Sequence, residues 1–149
     1  MKLKIPPPVY MLTFAILMWL SSKYFPLYIW SFDTQNFGIA IILLGFCIDF
    51  ISLIGFLHSK TSINPMKPEQ AQTLVTSGMH KFSRNPMYLG LLLLLTGWFL
   101  YLGVLSTLIF LPLFIWTLTK MQIQPEEEIL EELFGHSYLE YKLKVRRWL

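Results

Sequence analysis

From Met87 to Thr119 the chain runs for 33 residues without a charged side chain. No feature narrows the possible folds more. As one straight helix the run would be roughly 50 Å long, against a bilayer hydrocarbon core of about 30 Å. Gly97, Gly103, Ser106 and Pro112 interrupt it. A tight hairpin near Tyr101–Val104 therefore divides it into two short spans, 86–101 and 104–120. Upstream, Phe37–Leu57 is a second apolar stretch with one acid, Asp49. Its length of roughly 31 Å matches one crossing. A further span over 8–26 ends in aromatic residues, Tyr24, Phe25, Tyr28 and Trp30, of the kind that sit at a membrane interface. The sequence thus predicts an all-α integral membrane protein of about four transmembrane helices. The spans are 8–26, 37–57, 86–101 and 104–120, and a C-terminal amphipathic helix follows over 125–147. Residues 1–149 form one domain.

Charge fits this plan. Hydrophobic residues make up 54% of the chain and charged ones only 14%, too apolar for an ordinary soluble domain. With both termini in the cytoplasm, Lys2, Lys4, Lys60, Lys67, Lys81, Arg84, Lys120, Lys142, Lys144, Arg146 and Arg147 share one side. Only Lys23 falls opposite, a pronounced positive-inside bias. The net charge of +3 is accordingly membrane topology, and no nucleic-acid partner is expected. A removable signal peptide is not expected either, because the first apolar stretch lacks a small-residue cleavage site. Cys47 is the single cysteine, so an intrachain disulfide and a cysteine-rich metal site are both excluded. His58 and His80 make at most a pair of metal ligands, and no metal is expected.

Two polar clusters flank the long apolar run. The first is His80-Lys81-Phe82-Ser83-Arg84-Asn85-Pro86-Met87-Tyr88. Pro86 suits the first turn of a helix, where its missing N–H costs nothing, and Ser83 or Asn85 can cap that turn. Arg84 and His80 then form a cationic mouth for a polar or anionic ligand. The second cluster begins at Pro125-Glu126-Glu127-Glu128, where the acids suit a helix N-terminus. Ile129, Leu130, Leu133, Phe134, Tyr138, Tyr141 and Val145 follow at roughly helical spacing as a buried face, with a break expected at Gly135. Asp49 is a lone intramembrane acid and a lesser site candidate. The topology returns both clusters to one membrane face.

These motifs carry a resemblance. Leu74-Val75-Thr76-Ser77-Gly78, then Arg84-Asn85-Pro86-Met87-Tyr88-Leu89-Gly90, then Glu126-Glu127 with Leu130, Phe134-Gly135, Tyr138, Tyr141, Val145 and Arg147 resemble the isoprenylcysteine carboxyl methyltransferase and phospholipid methyltransferase family. The likeness covers about Leu74–Leu149. The family pattern usually has His at the position of Asn85 and Pro-Tyr at the position of Met79-His80. The resemblance implies S-adenosylmethionine bound between the membrane helices and the C-terminal helix at the cytoplasmic face. It also implies a lipophilic or lipidated acceptor arriving from the bilayer. On this reading Arg84 and Glu127 carry the catalytic roles. Gly78, His80, Asn85, Pro86, Tyr88, Leu89, Glu126, Glu127, Tyr138, Tyr141 and Arg147 hold the cofactor. Carboxylates suit its ammonium and diol, and arginine suits its carboxylate. The expected function is methyl transfer to an isoprenylcysteine-type carboxylate or a related lipid group. No residue is an outstanding base, although His80 is available near neutral pH, which leans toward an already anionic acceptor. The rival readings are a lipid or sterol-type double-bond reductase using a nicotinamide cofactor, and a non-catalytic membrane scaffold. Oligomeric state is left open.

Overall fold

The computed structural model describes residues 5–29, 33–58 and 73–149, with the side chains of 56–58 excepted. Trp30, most of the polar segment after His58, the His58 side chain and Lys2, Lys4, Lys60 and Lys67 lie outside the described residues.

Helix α1 spans Pro7–Tyr24 and α2 spans Gln35–His58. A 3-10 turn over Gly78–Lys81 leads into α3, Pro86–Leu102. Gly103 closes α3 in the left-handed conformation, φ 65°, which glycine adopts without a Cβ clash. A 3-10 turn at Leu105–Ile109 then runs into α4, Phe110–Leu118, a π-helical turn at Thr119–Ile123, and α5, Gln124–Phe134. Helix α6 is His136–Lys144. No strand occurs among the described residues; an isolated antiparallel bridge joins Ile29 to Val104.

Three expectations need correction. The C-terminal helix does not start afresh at 125, because Leu105–Phe134 is helical without a break. Pro125 has no N–H to give the preceding turn, and the widened π-helical turn immediately before it accommodates that loss. Nor does that helix reach 147. Gly135, at φ 50° and ψ −122°, separates α5 from α6, and Val145, in an extended conformation, ends α6. Finally, neither Ser83 nor Asn85 caps α3 through its side chain.

Two helical stretches, Gln35–Gly55 and Leu105–Phe134, are long and apolar enough to cross a membrane, and Pro86–Leu102 is a shorter apolar helix. On α2, Phe37, Leu43, Phe46 and Phe50 are exposed. A fully apolar helix surface outside the protein core is what a lipid environment covers. The core proper lies between α1, α3 and α4: Met18, Leu95, Phe114, Leu118 and Ile123 are fully buried. Phe14 sets its ring edge-on to Phe114, with centroids 5.4 Å apart.

Helices α2 and α3 approach through glycines. A Cβ on Gly38 would stand 2.7 Å from the Gly97 carbonyl oxygen, and one on Gly97 would stand 2.6 Å from that of Gly38. Small residues permit such contact between apolar helices, where backbone and side-chain packing must supply the attraction. Gly90 continues the seam, and the Asp49 carboxylate occupies the space its Cβ would need.

Candidate functional site

The loop before α3 is fixed by polar contacts. Ser83 is fully buried, and its Oγ accepts the Asn85 N–H at 3.1 Å. The same hydroxyl donates to the Arg147 carbonyl at 3.3 Å, and Asn85 Nδ2 donates to that carbonyl at 2.9 Å. The Arg84 N–H donates to the Arg146 carbonyl at 3.0 Å. These bonds draw the non-helical segment Val145–Trp148 along the mouth of α3 as a strap. Trp148 Nε1 extends it by donating to Thr119 Oγ1 at 3.2 Å.

Glu127 lies at the centre. Arg84 Nη2 donates to its Oε1 at 2.9 Å. Arg147 grips it with both ends of its planar fork, Nε to Oε1 at 3.1 Å and Nη2 to Oε2 at 2.7 Å. The Glu127 and Arg84 side chains are only 8% and 9% exposed, so the pair is desolvated. Its two cations supply what a buried carboxylate needs. Arg84 Nη1 reaches the Lys142 carbonyl at 3.4 Å, while its Nε is buried without a partner. Beside this trio, the Tyr88 hydroxyl donates to Glu126 Oε2 at 2.8 Å, and Glu126 is half-buried.

Helix α6 forms the wall. Tyr138 and Tyr141 are buried with Val145, and Leu74, Leu130 and Phe134 pack against them. Leu133, expected on this buried face, is exposed. Burial raises the Tyr138 phenol above its usual range, and the neighbouring Glu127 charge raises it further. Tyr141 is pushed up to about 12 by burial, with Arg84 opposing; its hydroxyl donates to the His80 carbonyl at 2.7 Å. Hydrogen bonding to Glu127 raises Arg147 above its ordinary value.

His80 departs from the expectation of a base available near neutral pH. Its side chain is buried, which lowers its pKa from 6.5 to about 4 and keeps the imidazole neutral. Between those values the unfolded chain binds more protons than the folded one. Stability is therefore full above pH 6.5 and falls as the pH drops toward 4, by ~3 kcal/mol from this residue. Unfolding in detergent across this range should show that loss, and His80→Gln should flatten it. Parallel curves for the two proteins would refute the assignment.

The structure thus gathers Arg84, Asn85, Tyr88, Glu126, Glu127, Tyr138, Tyr141, Arg147 and His80 at one end of α3. Pro86 opens that helix and is buried, and Leu89 is buried one turn on. Gly78 contributes a left-handed turn, φ 62°, that starts the 3-10 segment carrying His80. Asp49 is not in the cluster. It lies against Gly90, about 200° around α3 from Tyr88, with Oδ1 buried and unpartnered. Sequence reasoning missed the contributions of the Arg146, Arg147 and Lys142 carbonyls, because a carbonyl acceptor leaves no signature in residue identity. Trp148, an aromatic beside the motif arginines, was the one available hint of the strap.

An all-helical membrane-type protein that concentrates charge at one end of its apolar helices is the class defined by this fold and site. A family model described as PEMT, phospholipid methyltransferase, matches residues 34–137. The chain belongs to the phospholipid methyltransferase family. Among curated proteins it is similar to protein-S-isoprenylcysteine O-methyltransferase B of Arabidopsis thaliana, 30% identical over 74% of this chain and 56% of that protein. The protein-S-isoprenylcysteine O-methyltransferase of Saccharomyces cerevisiae is 35% identical over 72% of this chain and 45% of its own length. An uncharacterized protein of Haemophilus influenzae is 48% identical over 42% of this chain and 100% of its own length. The chain spans about half the length of those two isoprenylcysteine methyltransferases. No solved structure matches it.

Proposed function

We propose that the chain is a membrane methyltransferase that uses S-adenosylmethionine to methylate a lipophilic acceptor, an isoprenylcysteine-type carboxylate or a related lipid group. The observation that carries this reading is the convergence of Arg84, Glu127 and Arg147, with Tyr88–Glu126 alongside, at one end of apolar helices. The names of the plant and yeast relatives support the acceptor class.

The residues fit the cofactor. Arg84 keeps a buried Nε donor with no protein partner, which a ligand carboxylate would satisfy. Glu126 receives Tyr88 through Oε2 and retains Oε1 for an ammonium or a ribose diol. When bound, S-adenosylmethionine supplies an electrophilic methyl group on a sulfonium. Glu127 holds two arginine forks in fixed orientation, and the Tyr138–Tyr141–Val145 wall keeps water from the site. A carboxylate acceptor needs no general base, in keeping with a neutral, buried His80. In this proposal the single 1–149 unit crosses the membrane four times, with α3 and α4 as a hairpin. Both termini and the charged cluster face the cytoplasm, as the positive-inside bias favours.

The test is methyl transfer from labelled S-adenosylmethionine by the purified chain in lipid, offered S-prenylated cysteine acids and total membrane lipids. Label should enter the organic phase, and Arg84→Lys should reduce it, since lysine keeps the charge but loses the fork. No transfer to any acceptor, together with no binding of S-adenosylhomocysteine, would overturn the proposal.

A further inference from the structure

At the other end of α3, away from the charged cluster, a cleft of about 340 Å³ opens between the helices. Trp19, Ser22 and Lys23 line it from α1, Gln35 from α2, and Trp98 and Tyr101 from α3. Its aromatic wall is rigid. Trp98 and Tyr101 stack with centroids 5.5 Å apart and planes 9° from parallel, and Trp98 Nε1 donates to the Ala15 carbonyl at 3.1 Å. The adjoining loop is pinned as well, by the Ile29–Val104 bridge and by the Leu105 N–H on the Tyr28 carbonyl at 2.9 Å.

Lys23 stands out here. It interrupts an apolar span, and among the described residues it is the cation that lies at this end of the helices. No ion pair among the described residues engages it. Beside it in the cleft are the Gln35 amide and the Ser22 hydroxyl, whose proton goes to the Trp19 carbonyl at 2.7 Å, and the Asp33 carboxylate accepts the Gln35 N–H at 3.0 Å next to them. A cation beside an amide donor, backed by indole and phenol rings, matches the level of a bilayer where phosphate meets glycerol ester. The volume lies in the range of small-molecule sites.

We propose that this cleft seats the phosphodiester head of a membrane glycerophospholipid, on the membrane face opposite the charged cluster. Lys23 holds the phosphate. The Gln35 side-chain amide donates to it, and the rings of Trp19, Trp98 and Tyr101 pack on the glycerol and first acyl carbons. The proposal rests on the membrane character of the chain and is independent of methyl transfer.

The experiment is native mass spectrometry of the purified, delipidated full chain, titrated separately with dioctanoyl phosphatidylcholine, dioctanoylglycerol and inorganic phosphate. The phospholipid should give one saturable adduct, and the other two none at the same concentrations. Lys23→Gln should weaken that adduct about tenfold or more, as expected for a charge-assisted contact, and Lys23→Arg should hold it within about threefold. The comparison among the three probes uses the wild-type chain, so it does not depend on any variant folding. Equal binding of the diacylglycerol shows a purely apolar groove, and equal binding of inorganic phosphate shows a free-anion site. Either result, or an unchanged adduct in Lys23→Gln, overturns the proposal.

Discussion

Replacing Glu127 with alanine is expected to destabilise the fold by about 3–5 kcal/mol, because it strips the shared counter-charge from a buried arginine. The loss arises mainly at Arg84, whose side chain is 9% exposed, and less at Arg147, which is 34% exposed and can turn to solvent. Unfolding titrations in detergent measure it. Glu127→Gln keeps an acceptor for one arginine and should fall between alanine and wild type. The same substitutions should weaken S-adenosylhomocysteine binding by tenfold or more, since the arginines lose their orientation together with their partner. Arg84→Lys and Glu127→Gln should couple by about 0.5–3 kcal/mol in a double-mutant cycle on that affinity, as groups in one contact do. Strict additivity, or an alanine variant within 1 kcal/mol of wild type, would mean that the observed trio does not organise the site.

The second large effect is expected at the α2–α3 seam. Gly97→Val places a branched side chain where even a Cβ would stand 2.6 Å from the Gly38 carbonyl oxygen and 2.8 Å from the Ile42 N. Backbone cannot move aside as a flexible side chain can, so the helices must separate. A cost of about 1–3 kcal/mol or more is expected, with loss of the buried contacts on both helices. Gly55→Ala is the control. It lies on the same α2 helix with nothing within 4 Å of its Cβ, and alanine favours a helix by up to about 1 kcal/mol over glycine. Gly97→Val should unfold well below wild type while Gly55→Ala matches or exceeds it. Equal stability of the two variants would show that the close approach is not needed.

Helix existence was legible because apolar length and turn residues are local properties. Pro86, Gly103 and Gly135 each mark a boundary through their own backbone chemistry, and the structure uses them there. The grouping of Arg84 with Glu127 was also within reach, since the chain must come back after a long apolar run. Boundaries that depend on partners were not legible. Pro125 read as a helix start because proline favours first turns. In the fold it lies within a continuous helix, where the π-helical turn at Thr119–Ile123 takes up the missing N–H. The end of α6 was misplaced for a related reason. Residues 145–147 carry a helical-looking pattern, but the Arg146 and Arg147 carbonyls are bound by Arg84, Ser83 and Asn85, which holds the strap out of a helix.

His80 shows the same division in a side chain. Imidazole read from sequence titrates near neutrality, and only burial in the fold lowers it to about 4. The sequence by itself determined the helical membrane character, the residue types at the site and the family motifs that hold them, because composition, spacing and proline or glycine geometry act over a few residues. Only the tertiary structure decided that Glu127 is shared by two arginines, that the chain's last residues close over Ser83–Asn85, and that glycines let α2 and α3 touch. Those contacts join positions 20 or more residues apart, and their energies come from desolvation and backbone proximity that no single residue carries.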